Sequence, residues 1–196
     1  MAPAAKHRES LLSASAALFQ RQGYAATGLA EILSESGAPK GSLYHYFPEG
    51  KEAIAEEAMR TGGAAIEQRI RAGAARAPSL AAFVAAYANA LATMMAESGF
   101  SLGCQIATVA LEAAPQSARL TKACRDVLGA WTAAIADALS AAGIAAPRGT
   151  ELAELMMCTF QGALILARVQ QNTKPIANAA AELTRLFDME LRGTTQ

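Results

Sequence analysis

Apolar positions recur along this chain at intervals of three and four, the spacing of one buried helix face, and no run alternates with the period of two expected of a strand. Leu11, Leu12, Ser15, Leu18 and Phe19 mark a first helix, which Gly23 ends. Thr27 is a suitable N-cap for a short helix carrying Leu29, Ile32 and Leu33, and Gly37 closes it. Pro39 stands where the first turn of another short helix begins, with Leu43 and Phe47 on one face and Pro48-Glu49-Gly50 as its breaker. A longer helix then runs from near Lys51 toward Arg76.

The second half predicts longer elements. Pro78-Ser79 caps a helix through Phe83, Tyr87, Leu91 and Met94, and Ser98-Gly99 ends it. A short helix from Ile106 to Glu112 stops at Pro115. Another passes through Leu120, Val127, Trp131 and Leu139 to Gly143. Thr150 caps the next, through Leu155, Phe160 and Leu166. After the turn Asn172-Thr173-Lys174-Pro175, a last helix carries Ile176, Leu183 and Phe187. The fold class expected is therefore all-α: three short helices forming a helix-turn-helix module over residues 1–50, followed by a larger helical domain over residues 51–196.

Composition changes this picture little. Hydrophobic residues are 53% of the 196 and charged residues 17%, which excludes a disordered chain. Seventeen basic residues balance seventeen acidic ones, so a binder of nucleic acid by bulk charge is excluded while a local basic surface is not. Cys104, Cys124 and Cys158 lack C-x-x-C spacing, which argues against a disulfide scaffold or zinc site and suits a reducing cytoplasm. The apolar stretch Leu80–Ala96 is alanine-rich and shorter than the ~20 residues of a membrane span, so it reads as a core helix. No membrane association and no secretory leader are expected.

The informative stretch is TGLAEILSESGAPKGSLYHYFPEGK, from Thr27 to Lys51. A short helix, a glycine-containing turn and a second short helix make the helix-turn-helix pattern. To read a major groove, the second helix must turn polar side chains outward. Lys40, Ser42, Tyr44 and His45 can do so while Leu43 and Phe47 point inward. Gly41 lets the backbone approach a phosphate closely. Lys51 and the amide groups of its helix N-terminus can meet another phosphate. Residues 1–51 hold five basic and four acidic side chains, so charge alone does not single out DNA.

The same residues carry a resemblance. ALFQRQGYAATGLAEI, then SGAPKGSLYHYF, then GKEAI are similar to the DNA-binding module of TetR/AcrR-family transcriptional regulators. The longer FPEGK turn and the later GCQIATVALEAAP resemble that family's LmrA/YxaF-like branch. The family usually shows Tyr-x-His-Phe where this chain has Tyr44-His45-Tyr46-Phe47. The usual histidine position is thus Tyr46, whose hydroxyl can still donate to a phosphate, and His45 is the better candidate for the groove. The resemblance implies Thr27, Lys40, Gly41, Ser42, Tyr44, His45, Tyr46 and Lys51 as the DNA-binding set, with double-stranded DNA bearing a palindromic operator as the partner. It also implies a homodimer through the last two helices, about Thr150–Gln171 and Lys174–Arg192. Leu152, Leu155, Ala163, Leu166, Ile176, Leu183 and Phe187 there exceed what one small core needs.

A small hydrophobic effector is the other expected partner, a planar aromatic one by the same resemblance. Phe83, Tyr87, Leu91, Met94, Cys104, Thr108, Trp131, Ile135, Met156 and Phe160 fall on inner helix faces and mix aromatic, thioether and aliphatic groups with few polar anchors, as in small-molecule sites. Each alone also reads as ordinary core. The effector would favour a conformation whose recognition helices no longer match adjacent major grooves, releasing a repressor. No enzymatic activity, cofactor or metal is expected. Gly99-Phe100-Ser101-Leu102-Gly103 matches the G-x-S-x-G nucleophile elbow, but it follows a helix pattern rather than a strand, and both histidines lie upstream. The alternatives are a helical small-molecule-binding protein or an adaptor with a non-functional helix-turn-helix. Salt-dependent operator binding separates the first from a regulator, and a closed apolar cavity separates the second.

Overall fold

A computed structural model of the chain describes residues 3–193, all of whose regular elements are α-helices. They are α1 (Pro3–Gln22), α2 (Leu29–Ser36), α3 (Lys40–Tyr46), α4 (Lys51–Arg76), α5 (Leu80–Glu97), α6 (Gln105–Ala113), α7 (Ala118–Ala141), α8 (Arg148–Gln170) and α9 (Lys174–Gly193). Their ends follow local chemistry. Gly23 and Gly37 take φ of 91° and 62°, left-handed values that glycine adopts without steric cost, directly after α1 and α2. The Ser79 hydroxyl accepts the Ala82 N–H at the start of α5, as expected of an N-cap.

Two expected caps are corrected. Gly28, not Thr27, is the N-cap of α2, because the Thr27 hydroxyl donates instead to the Gly23 carbonyl at 2.7 Å. Thr150 lies inside α8, whose N-cap is Pro147. Gly149 is needed just there: a Cβ on it would stand 2.5 Å from the Ile144 carbonyl oxygen.

The chain forms two compact units, residues 1–64 with 104–128, and residues 65–103 with 129–196. In the first, α1 packs on α2, α3 and α6. Leu11, Leu18, Phe19, Ile32, Leu43, Phe47, Ile54, Met59 and Ile106 are all buried there. Within it α4 and α7 approach closely, since a Cβ on Gly63 would lie 2.5 Å from Val127 Cγ1.

In the second unit α5, α8 and α9 pack on one another around Phe83, Val84, Met95, Leu152, Met156, Phe160, Ile176, Leu183 and Phe187. α5 and α8 are long and apolar enough to cross a membrane by length and composition. Their apolar faces are nevertheless used as core against α9. Leu155 and Leu166, expected with Phe187 in one helix bundle, part company with it. Phe187 is 1% exposed within this single chain, while Leu155 is 44% and Leu166 52% exposed. With Ile165 and Val169 on α8 and Met189 on α9, they leave an apolar surface in water.

The Gly99–Gly103 segment is a helix-to-helix connection. It follows α5, not a strand, and the Ser101 hydroxyl is bonded to the Ser98 carbonyl. The nucleophile-elbow geometry is absent.

Candidate nucleic-acid interface

α2 and α3 are joined by Gly37-Ala38-Pro39. The turn is fixed by the Gly37 N–H on the Leu33 carbonyl at 3.1 Å and the Ala38 N–H on the Ser36 hydroxyl at 3.2 Å. Ile32, Leu43 and Phe47 are buried beneath it and hold α3 by one face. The opposite face is open. Lys40, Gly41 and His45 are exposed, Tyr44 is 50% exposed, and Ser42 and Tyr46 are half-buried. The His45 and Tyr46 rings meet edge to face at 4.9 Å. A Cβ on Gly41 would touch nothing within 4 Å, so packing inside the protein does not demand a glycine there.

The α1–α2 turn is clasped from two sides. Lys51, expected at a phosphate, has its ammonium bonded inside the protein: Nζ donates to the Tyr24 carbonyl at 2.9 Å and the Thr27 carbonyl at 3.0 Å, and lies 4.3 Å from the centre of the Tyr24 ring. Thr27 itself is 1% exposed. Burial, then the Glu52 carboxylate, raise the pKa of the Tyr24 hydroxyl. From the other side, Glu112 on α6 accepts the Ala25 N–H at 2.6 Å, with its carboxylate against Gly23. A carboxylate on a short amphipathic helix reads as a solvated residue, so the sequence alone does not assign Glu112 to this turn.

The N-terminal part of α4 is tied to α7 by charge. Arg119 bonds Glu49 at 2.6 Å and also Glu56, while Arg60 bonds Glu56 and Asp126, each at 3.0 Å. The Arg119 guanidinium first, then Arg60, hold the Glu56 carboxyl below its ordinary range. A short bond also joins Ser117 to Glu52. Glu49, the acidic residue just after α3, is thus paired with Arg119.

Two segments of the chain match known families. Residues 11–58 match the bacterial regulatory proteins of the tetR family, and residues 80–182 match the C-terminal domain of LmrA/YxaF-like transcriptional regulators. This chain belongs to the TetR family of transcriptional regulators, in its LmrA/YxaF-like branch. The HTH-type regulator YxaF of Bacillus subtilis is 32% identical over 90% of this chain and 92% of its own length. LmrA of the same organism is 32% identical over 89% and 93%. The regulatory protein TetR from Rhodobacter sphaeroides has a solved structure that superposes with a TM-score of 0.79 at 26% identity, covering 90% of this chain and 96% of that one.

Of the residues expected around an effector in this TetR-family chain, Phe83, Tyr87, Leu91, Met94, Trp131, Ile135, Met156 and Phe160 lie in the second unit, and Cys104 and Thr108 in the first. Tyr87 brings three aromatics together, its ring 6.4 Å from Phe83 and 5.1 Å from Phe160. Trp131, Ile135, Met156 and Phe160 are buried, and Leu91 and Met94 half-buried. Phe83 also edges a cleft of about 430 Å³ lined mainly by alanines in and just after α4 and α7, and Met94 edges another of about 530 Å³ beside Leu102. The Thr108 hydroxyl donates to the Cys104 carbonyl at 3.0 Å.

Proposed function

We propose that this TetR-family regulator is a cytoplasmic, non-enzymatic repressor that binds a palindromic operator as a homodimer and leaves it when a small hydrophobic effector binds. The observation that carries the reading is the amphipathic division of α3. Leu43 and Phe47 are buried, and the opposite face offers Lys40, Gly41, Ser42, Tyr44 and His45 to a groove. In this reading Lys40 and the Ser42 and Tyr46 hydroxyls meet phosphates, and Tyr44 and His45 reach base edges. Thr27 and Lys51 serve by holding the α1–α2 turn, and the α4 N-terminus adds its backbone amides.

The dimer rests on the apolar surface of α8. Leu155, Cys158, Gly162, Ile165 and Val169 are all exposed and succeed one another at intervals of three and four, the seam pattern of paired helices. Burying that seam against a second copy removes it from water. The effector reading rests on Phe83, Tyr87 and Phe160, whose tilted rings pack on one another, with Phe83 at the edge of the 430 Å³ cleft.

A gel-shift titration of the DNA upstream of the protein's own gene, repeated with a panel of aromatic compounds, tests all three parts. The expected result is a retarded complex that at least one compound dissociates. No complex with that DNA, under salt conditions that leave the protein dimeric, overturns the reading.

A further inference from the structure

The turn between α1 and α2 is held by opposite charges acting on its two kinds of backbone group. The Lys51 ammonium of α4 takes the carbonyls of Tyr24 and Thr27, at 2.9 and 3.0 Å. The Glu112 carboxylate of α6 takes an amide, the Ala25 N–H, at 2.6 Å. Both are charge-assisted bonds, the stronger class of hydrogen bond. Gly23 makes room for the second. Its φ of 91° is left-handed, and a side chain there would collide with the Glu112 carboxylate. Glu112 contributes nothing to the core, since it is exposed beside the exposed Leu111. Ile106, Val109 and Ala113 bury the other face of α6, which packs on α1, so the carboxylate springs from a fixed base.

The turn sets where α2 begins. Gly28, the N-cap of α2, follows shortly after Ala25, and Gln22 at the end of α1 bonds Glu31 in the first turn of α2 at 2.8 Å. α3 comes directly after Gly37-Ala38-Pro39, and both α2 and α3 pack on α1. In a helix-turn-helix module the first helix crosses the DNA backbone while the second enters the major groove, so the two must fit the duplex together. A slack α1–α2 turn lets both shift on α1, away from the pose that the duplex requires.

We propose that Glu112 is a positioning residue for DNA binding. Its carboxylate latches α6 to the α1–α2 turn and so fixes the placement of α2 and α3. Positioning and plain electrostatics predict opposite signs. Glu112 is an anion in the unit that meets DNA, and removing an anion reduces repulsion from the phosphates and tightens binding. Removing a latch weakens it.

The test uses the full-length protein and a duplex that the parent recovers from a randomised pool. Affinities are measured at a temperature where circular dichroism shows every variant fully folded. Glu112→Ala and Glu112→Gln remove the same charge, but glutamine keeps an oxygen that can accept the Ala25 N–H. Glu112→Ala should bind about ten-fold more weakly, the scale of one hydrogen bond to a charged group, and Glu112→Gln should recover most of that loss. The slope of log affinity against log salt should be the same in all three proteins, because the latch is an internal bond. Hydrogen exchange at the Ala25 amide, read by NMR, should accelerate in Glu112→Ala and much less in Glu112→Gln. A Glu112→Ala protein that binds as tightly as its parent, or more tightly, would overturn the inference, and so would equal losses in the two variants. A parent that selects no duplex at all would overturn DNA binding through α3 and this inference with it, so the two failures are distinct.

Discussion

Gly41 separates the demands of folding from those of DNA binding. No neighbour lies within 4 Å of the Cβ it lacks, and it sits in the first turn of α3. Alanine there is sterically free and favours the helix by roughly 0.5–1 kcal/mol. Gly41→Ala should therefore leave thermal stability unchanged or raised while weakening DNA binding, because its methyl group faces the phosphate. Equal DNA affinity in the two proteins would show that the backbone at 41 does not approach the duplex. The two lysines of this region divide similarly. Lys40 is exposed and has one charge to give, so Lys40→Ala should lower the slope of log affinity against log salt by about 1. Lys51→Ala should leave that slope unaltered and instead cost on the order of 1–3 kcal/mol in urea denaturation, since the Tyr24 and Thr27 carbonyls lose a charged donor. A reduced slope with unchanged stability would return Lys51 to the phosphate contacts.

At the scale of elements, α8 and α9 have different tasks along their lengths. Phe187 belongs to the core of its own chain, so Phe187→Asp should unfold the second unit through an unpaired buried charge. Val169 is 77% exposed on the apolar seam, so Val169→Asp should keep its circular dichroism and yield monomers by light scattering. A dimeric Val169→Asp protein would move the interface elsewhere. The α4–α7 charge cluster makes a pH prediction. Because the folded-state carboxyl of Glu56 titrates below its unfolded value, its contribution to stability is complete above the ordinary glutamate pKa of about 4.3 and is lost as pH falls through the lower folded-state value. Glu56→Gln should flatten the acid limb of a stability–pH curve; an unchanged limb would assign acid loss to other carboxylates.

Helix ends were legible in the sequence wherever one residue type had one solution, as at Gly23, Gly37 and Ser79. Thr27 was misread because its hydroxyl has two possible partners, and the Gly23 carbonyl wins over the backbone of α2. Periodicity likewise identified Leu155, Leu166 and Phe187 as apolar helix positions, but a stripe facing its own core and one facing solvent have the same spacing. On α3, the outward positions of Lys40, Tyr44 and His45 were readable from the helical spacing, while Ser42, expected beside them, is half-buried. The clasp of Glu112 on the α1–α2 turn was not readable, because it joins residues 87 positions apart.

For the molecule as a whole, the proposed effector acts on DNA binding only as far as effector and operator affinities are linked. A coupling on the order of 1–3 kcal/mol between them would be ordinary, and by reciprocity operator DNA should weaken the effector's binding by the same factor. Such linkage presupposes that two recognition helices, one from each protomer, engage DNA together. Selection of bound duplexes from a randomised DNA pool tests this paired engagement. Enrichment of a two-fold symmetric sequence is expected, its half-sites one helical turn apart, about 34–36 Å, or a multiple of it, with loss of that enrichment in Val169→Asp. A pool that stays random, or a single asymmetric half-site bound equally well by the monomeric variant, would contradict it.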